Sequence, residues 1–188
     1  EATNMNPVKV NSVITEYDPI SDQKIKYQKI QITESVTVRN ISFNSPHYYL
    51  VEEGMDIHDP QNFEVPFDNP DVNLRADYQV YREKAGFLQP KEIKKIREHL
   101  RLSLREVSAI LGISYSTLSE IENGLVLHSQ IQDTLLRMLE HTYTLSTIVE
   151  QHKGLIINSH GLKAYQRIID KLNISRSEER RVGKECRS

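Results

Sequence analysis

The stretch Leu102–Gly124, LSLREVSAILGISYSTLSEIENG, constrains the fold more than any other part of the chain. Ser103 followed by Glu106 is a capping box: the serine hydroxyl accepts from the N–H three residues on and the glutamate reaches back, so a helix begins at Leu104. Val107 and Leu111 repeat at helical spacing, and Gly112 closes that helix where a left-handed residue is needed. Ser114 opens a second short helix, which turns Leu118 and Ile121 inward and ends at Asn123–Gly124. A helix, a tight turn and a second helix led by small polar residues form the geometry that presents a helix end to the major groove of duplex DNA.

Helical signals surround this unit. Pro90 suits a first helical position, and Ile93, Ile96 and Leu100 follow at helical spacing with Lys91, Lys94 and Lys95 on the other side. Ser129 and Gln132 repeat the capping signature ahead of Ile131, Leu135, Leu136 and Leu139, and Asp71 can cap a helix that carries Leu74, Tyr78 and Tyr81 on one face and stops at Gly86. Two weaker patterns, LSTIVEQH and LKAYQRIIDKL, are separated by Gly154 and a turn at Asn158–Gly161. Upstream, Val8 to about Tyr49 alternates apolar and polar residues in KIKYQKIQIT and SVTVRNISF, which predicts an antiparallel sheet of three or four strands broken at Asp18–Pro19 and Ser45–Pro46. The segment MDIHDPQNFEVPFDNP suits an irregular connector. The expected class is α+β: a small β-rich N-terminal domain with its connector over 1–70, then an all-helical domain over 71–175 whose helix-turn-helix unit covers about 90–140. The tail SRSEERRVGKECRS lacks an apolar period and has the look of adaptor-derived read-through, so 176–188 is expected to be non-native.

The motif resembles the Xre family of phage-repressor and Cro-type regulators through Ser103, Val107, Leu111, Gly112, Ile113, Ser114, Leu118, Ser119, Ile121, Glu122 and Gly124. The resemblance implies a recognition helix beginning at Ser114, with Tyr115, Ser116 and Ser119 facing base edges and Thr117 or Asn123 near phosphates. It also implies a structural pair between Arg97 and Glu122. Two positions depart from the family: Leu104 stands where Gln is usual, and Glu120 where Arg, Lys or Trp is common. A carboxylate there either accepts from a cytosine amino group or lowers affinity by facing phosphate. Arg101, Arg105, Lys91, Lys94 and His128 are the candidate phosphate partners.

A wider resemblance, through Leu74, Tyr81, Arg82, Leu88, Pro90, Glu92, Ile93, Ser129, Asp133, Leu135, Leu136 and Arg137, is to the helical half of YgiT/MqsA-type antitoxins. The zinc-binding cysteines of that family's N-terminal half have no counterpart here, because the single cysteine is Cys186. No metal site, disulfide or organic cofactor is therefore expected. The seven histidines lack an H-E-x-x-H spacing, and neither a Gly-rich phosphate loop nor a Gly-x-Ser-x-Gly elbow occurs, so an enzyme is not expected. No apolar run reaches spanning length and the first residues do not read as a signal peptide, which makes the cytoplasm the expected location. Net charge is −2, but residues 1–89 hold 8 Lys and Arg against 14 Asp and Glu, while 90–140 hold 7 against 7. Contact with DNA must then come from a local patch. The expected function is sequence-specific binding of double-stranded DNA by a homodimer that represses transcription, as the autorepressing antitoxin of a toxin partner. The alternative is a protein-interaction module that keeps the helical fold and neutralises a toxin without binding DNA.

Overall fold

A computed structural model describes residues 7–18 and 21–185. Cys186 and the proline of the expected Asp18–Pro19 turn lie outside them. The chain divides by packing into two compact units, Glu1–Ala85 and Gly86–Ser188.

The first unit is an antiparallel meander of β1 (Lys9–Asp18), β2 (Gln23–Val38) and β3 (Ile41–Glu52), in that order, with α1 (Val72–Ala85) packed on β3. Ile30, Ile32 and Val51 are buried on one face, joined by Tyr49, Ile57 and Phe63. The turn expected at Ser45–Pro46 does not exist: both residues lie inside β3, with Pro46 opposite Thr33. β3 is an edge strand, and the residues of Pro46's parity point their backbone groups away from β2, since Tyr48 N–H donates to Asn73 Oδ1 at 2.7 Å and Leu50 N–H to Glu64 O at 2.7 Å. A proline loses no ladder bond in that position. The chain turns instead at Arg39–Asn40, where Arg39 takes φ 47°.

Helix α1 was expected to open the helical domain, but its residues pack on the sheet and fall in the first unit. Tyr81 and Arg82 are buried, whereas Leu74, expected on the inner face, is 46% exposed.

The second unit holds α2 (Pro90–His99), α3 (Leu104–Leu111), α4 (Tyr115–Glu122), α5 (Gln130–Arg137), α6 (Thr142–Gln151), α7 (Lys153–His160) and α8 (Leu162–Glu185). Its core runs through Ile93, Leu100, Val107, Leu118, Ile121, Leu136, Leu145, Val149, Ile168 and Leu172. Both serine capping boxes form as expected, at Ser103 with Glu106 and at Ser129 with Gln132. Ile131 faces solvent instead of the core, at 74% exposure. The break expected at Gly154 falls two residues earlier, at His152, and residues 153–160 form a separate helix, α7, with Ile156 buried. Helix α8 also continues into the segment set aside as a tail, where Glu178 meets Arg101 and Glu179 accepts from Thr142. No helix among the described residues is long and apolar enough to cross a membrane.

Candidate nucleic-acid interface

Helix α4 has two faces set by its sequence. Leu118 and Ile121 are 1% and 0% exposed, and they anchor the inner side. Tyr115, Ser116, Glu120 and Asn123 are exposed and Ser119 is half-buried, so the outer side is a strip of polar groups and one phenol ring at one-turn spacing. Gly112, at φ 69°, makes the corner between α3 and α4. Ser114 caps α4 by accepting from Thr117 N–H at 3.2 Å, and its hydroxyl also lies 2.8 Å from Thr117 Oγ1 and 3.1 Å from Ser116 Oγ. Thr117 is thus engaged in the cap. At the other end, Asn123 Nδ2 donates to Ser119 O at 2.8 Å.

Arg105, on the first turn of α3, lies with its guanidinium 5.8 Å from the ring centre of Tyr115. This places a cation and an aromatic ring side by side at the exposed start of α4, a contact that sequence spacing across the turn did not reveal. Leu104 is half-buried against the core, which leaves no polar side chain at its position.

The scaffold behind α4 is held by charge. Arg97 donates from Nε to Glu122 Oε1 at 2.6 Å and from Nη2 to Oε2 at 2.9 Å, with Nη1 on Leu102 O at 2.9 Å. The fork-to-fork geometry fixes α2 against α4, and the Glu122 hydrogen bond holds the guanidinium above its ordinary pKa despite burial. Glu106 does more than cap α3: Lys171 Nζ from α8 reaches its two oxygens at 2.9 and 2.8 Å. Burial pushes this carboxyl up, but the Lys171 and Ser103 donors outweigh it and hold it below its ordinary value.

The candidate phosphate partners divide. Arg105 and Arg101 are exposed; Arg101 takes φ 57° and lies 3.0 Å from Glu178. Lys91 and Lys94 are exposed on α2, the latter 3.8 Å from Glu98. His128 is a correction, because it is only 1% exposed and its Nε2 donates to Asp133 at 3.0 Å. Asp133 also accepts from Leu88 N–H at 2.8 Å and Arg137 Nε at 2.7 Å. Burial raises its pKa, and these three donors lower it further than burial raises it.

A polar strip on a short capped helix, set at a glycine corner against a preceding helix, is a helix-turn-helix arrangement. Residues 93–147 match the helix-turn-helix family. The match runs from α2 to the first half of α6, and the domain type it matches is a DNA-binding regulatory one. No curated protein and no solved structure matches the chain.

Proposed function

We propose that the chain is a sequence-specific repressor that reads duplex DNA with α4 and acts in the cytoplasm as a homodimer, controlling its own operon as the antitoxin of a toxin pair. The observation that carries the DNA reading is the exposed strip Tyr115, Ser116, Ser119, Glu120 and Asn123, with Arg105 stacked beside Tyr115. Serine and asparagine side chains can donate to and accept from base edges, Tyr115 presents an apolar ring with a hydroxyl, and Arg105 supplies the charge that phosphate attracts. Glu120 faces outward with no cation among the described residues, which suits acceptance from a cytosine amino group. One such helix covers too few base pairs for a genomic site, so two copies on a palindrome are required. The antitoxin role rests on the resemblance of the helical half and on the acidic N-terminal unit, which would meet a basic partner.

The test is selection from random duplex DNA, followed by binding at two salt concentrations with the Tyr115→Ala/Ser119→Ala variant alongside. An enriched palindrome, bound less tightly as salt rises and lost in the variant, supports the reading. Folded protein that enriches nothing at low salt overturns it. That outcome favours the second reading, an interaction module, for which Glu120 and the balanced charge of residues 90–140 are the motivating observations.

A further inference from the structure

The two edges of the sheet are finished differently. On β3 the outer edge is occupied: Pro46 has no N–H to offer, Tyr48 N–H donates to Asn73, and Leu50 exchanges both backbone hydrogen bonds with Glu64. β1 forms the opposite edge, and no strand pairs with its outer side among the described residues. It is 10 residues long, which is about 34 Å of backbone donors and acceptors. Exposed edges are ordinarily blunted by proline or by charge along their length. β1 has no proline, its stretch from Val10 to Thr15 carries no charge, and its bulge lies toward one end, between Val10 and Ser12.

The side chains of β1 are patterned to match a reversed copy of themselves. Directly opposed residues of an antiparallel pair share a face. Pairing with β2 therefore puts Val10, Val13, Thr15 and Tyr17 on the face of Ile30, and Lys9, Ser12, Ile14, Glu16 and Asp18 on the face of Tyr27, with Asn11 passed over at the bulge. Two such strands, laid antiparallel about a two-fold axis at Ile14, overlap at every position that pairs with β2 and keep both faces in step. Lys9 then meets Asp18, Val10 meets Tyr17, Ser12 meets Glu16, Val13 meets Thr15, and Ile14 meets its own copy. Opposite charges lie at the two ends and no like charges are opposed. A parallel arrangement in the same overlap would instead set Lys9 against Lys9 and Asp18 against Asp18. Val10, Val13 and Tyr17, at 45%, 58% and 58% exposure, would each gain a neighbour that a lone β1 does not give them.

We propose that a second copy of this chain pairs with the outer edge of β1, antiparallel and centred on Ile14, so that two three-stranded sheets become one continuous sheet. The overlap supplies about nine backbone hydrogen bonds, which is what a specific protein interface ordinarily carries. The proposal deepens the homodimer of the proposed function by giving it a contact surface, and it rests on that reading only for the presence of two copies. Every residue of the contact belongs to the first unit, so DNA recognition by α4 stands or falls separately.

The test is sedimentation of the full chain over a range of concentrations, with Val10→Lys/Val13→Lys alongside. Both positions are exposed, and circular dichroism checks that the variant keeps the fold. The added lysines would lie near Lys24 and Lys26 of the other copy, which oppose Tyr17 and Thr15, and the dimer is expected to weaken by about tenfold or more. Register is read by mild oxidation of Ile14→Cys in a Cys186→Ser background: self-opposed cysteines are within disulfide reach and should cross-link. Ser12→Cys in the same background opposes Glu16 and should not. A concentration-dependent dimer weakened by the lysines and cross-linked at position 14 alone supports the proposal. A parent that stays monomeric at about 0.1 mM overturns it together with the homodimer. A dimer that the lysines leave intact, or that cross-links as readily at position 12, overturns this surface while the homodimer and the DNA reading stand.

Discussion

Arg97 satisfies three acceptors at once, two on Glu122 and one on the Leu102 carbonyl, with the side chains of the pair only 13% and 8% exposed. Removing one partner strands the other charge, and Arg97→Met is expected to cost about 2–3 kcal/mol, read from the denaturation midpoint. Adding Glu122→Leu should return part of that loss; a double variant as unstable as the single one would mean that packing, not charge, holds α2 to α4. His47 is a different case. Its Nδ1 meets Glu34 and its Nε2 lies 2.8 Å from Asp77, so both ring nitrogens donate and the imidazole is held as a cation between β2 and α1. Burial pulls its pKa down, and the hydrogen bonds to Asp77 and Glu34 more than reverse that, leaving it raised. A raised folded pKa gives stability that is complete below the unfolded value of about 6.5 and is lost as pH rises through the folded value. The denaturation midpoint of the first unit is therefore expected to fall as pH rises above about 6.5, and to lose that dependence in His47→Gln. Tyr49, which donates to Glu34 at 2.9 Å and is pushed up to about 12, does not titrate there. A parent midpoint that rises with pH would refute the assignment.

Among the elements, the corner between α3 and α4 sets the direction in which the polar strip of α4 faces. Gly112 sits at φ 69°, and a Cβ added there would meet nothing within 4 Å, so the penalty of Gly112→Ala is backbone strain alone, about 1–2 kcal/mol. Urea denaturation should show that loss with DNA affinity preserved in the folded fraction; a loss above about 3 kcal/mol would indicate that the corner rearranges. This corner was legible in the sequence because its determinants are local: the Ser103–Glu106 box, the αL glycine and the Ser114 cap each act within four residues. What was not legible depends on partners far along the chain. Glu106 reads as a cap, and nothing near it announces Lys171. His128 reads as a free cation until Asp133 and Phe87 enclose it. Pro46 reads as a turn because sequence does not say which edge of a strand is left unpaired. The outward position of Tyr115, Ser116, Glu120 and Asn123 follows from helical spacing, but the stacking of Arg105 on Tyr115 crosses the turn and required coordinates.

At the scale of the whole molecule, charge is divided between the two units. Residues 1–85 hold 8 Lys and Arg against 14 Asp and Glu, whereas residues 86–175 hold 11 against 9. The unit that carries the helix-turn-helix is thus joined to one that repels the DNA backbone. If the units fold independently, as their separate cores suggest, a fragment covering 86–175 should unfold cooperatively in calorimetry, and the full chain should show a second transition that moves with pH through His47. The fragment is expected to bind non-specific duplex DNA more tightly than the full chain at low salt. The two affinities should converge as ionic strength approaches about 0.15 M, where the Debye length falls to about 8 Å and the acidic unit is screened. Specific protection should be identical in both proteins, because the proposed base contacts all lie on α4. A fragment that is folded yet binds DNA more weakly than the full chain would show that the sheet unit is part of the DNA interface.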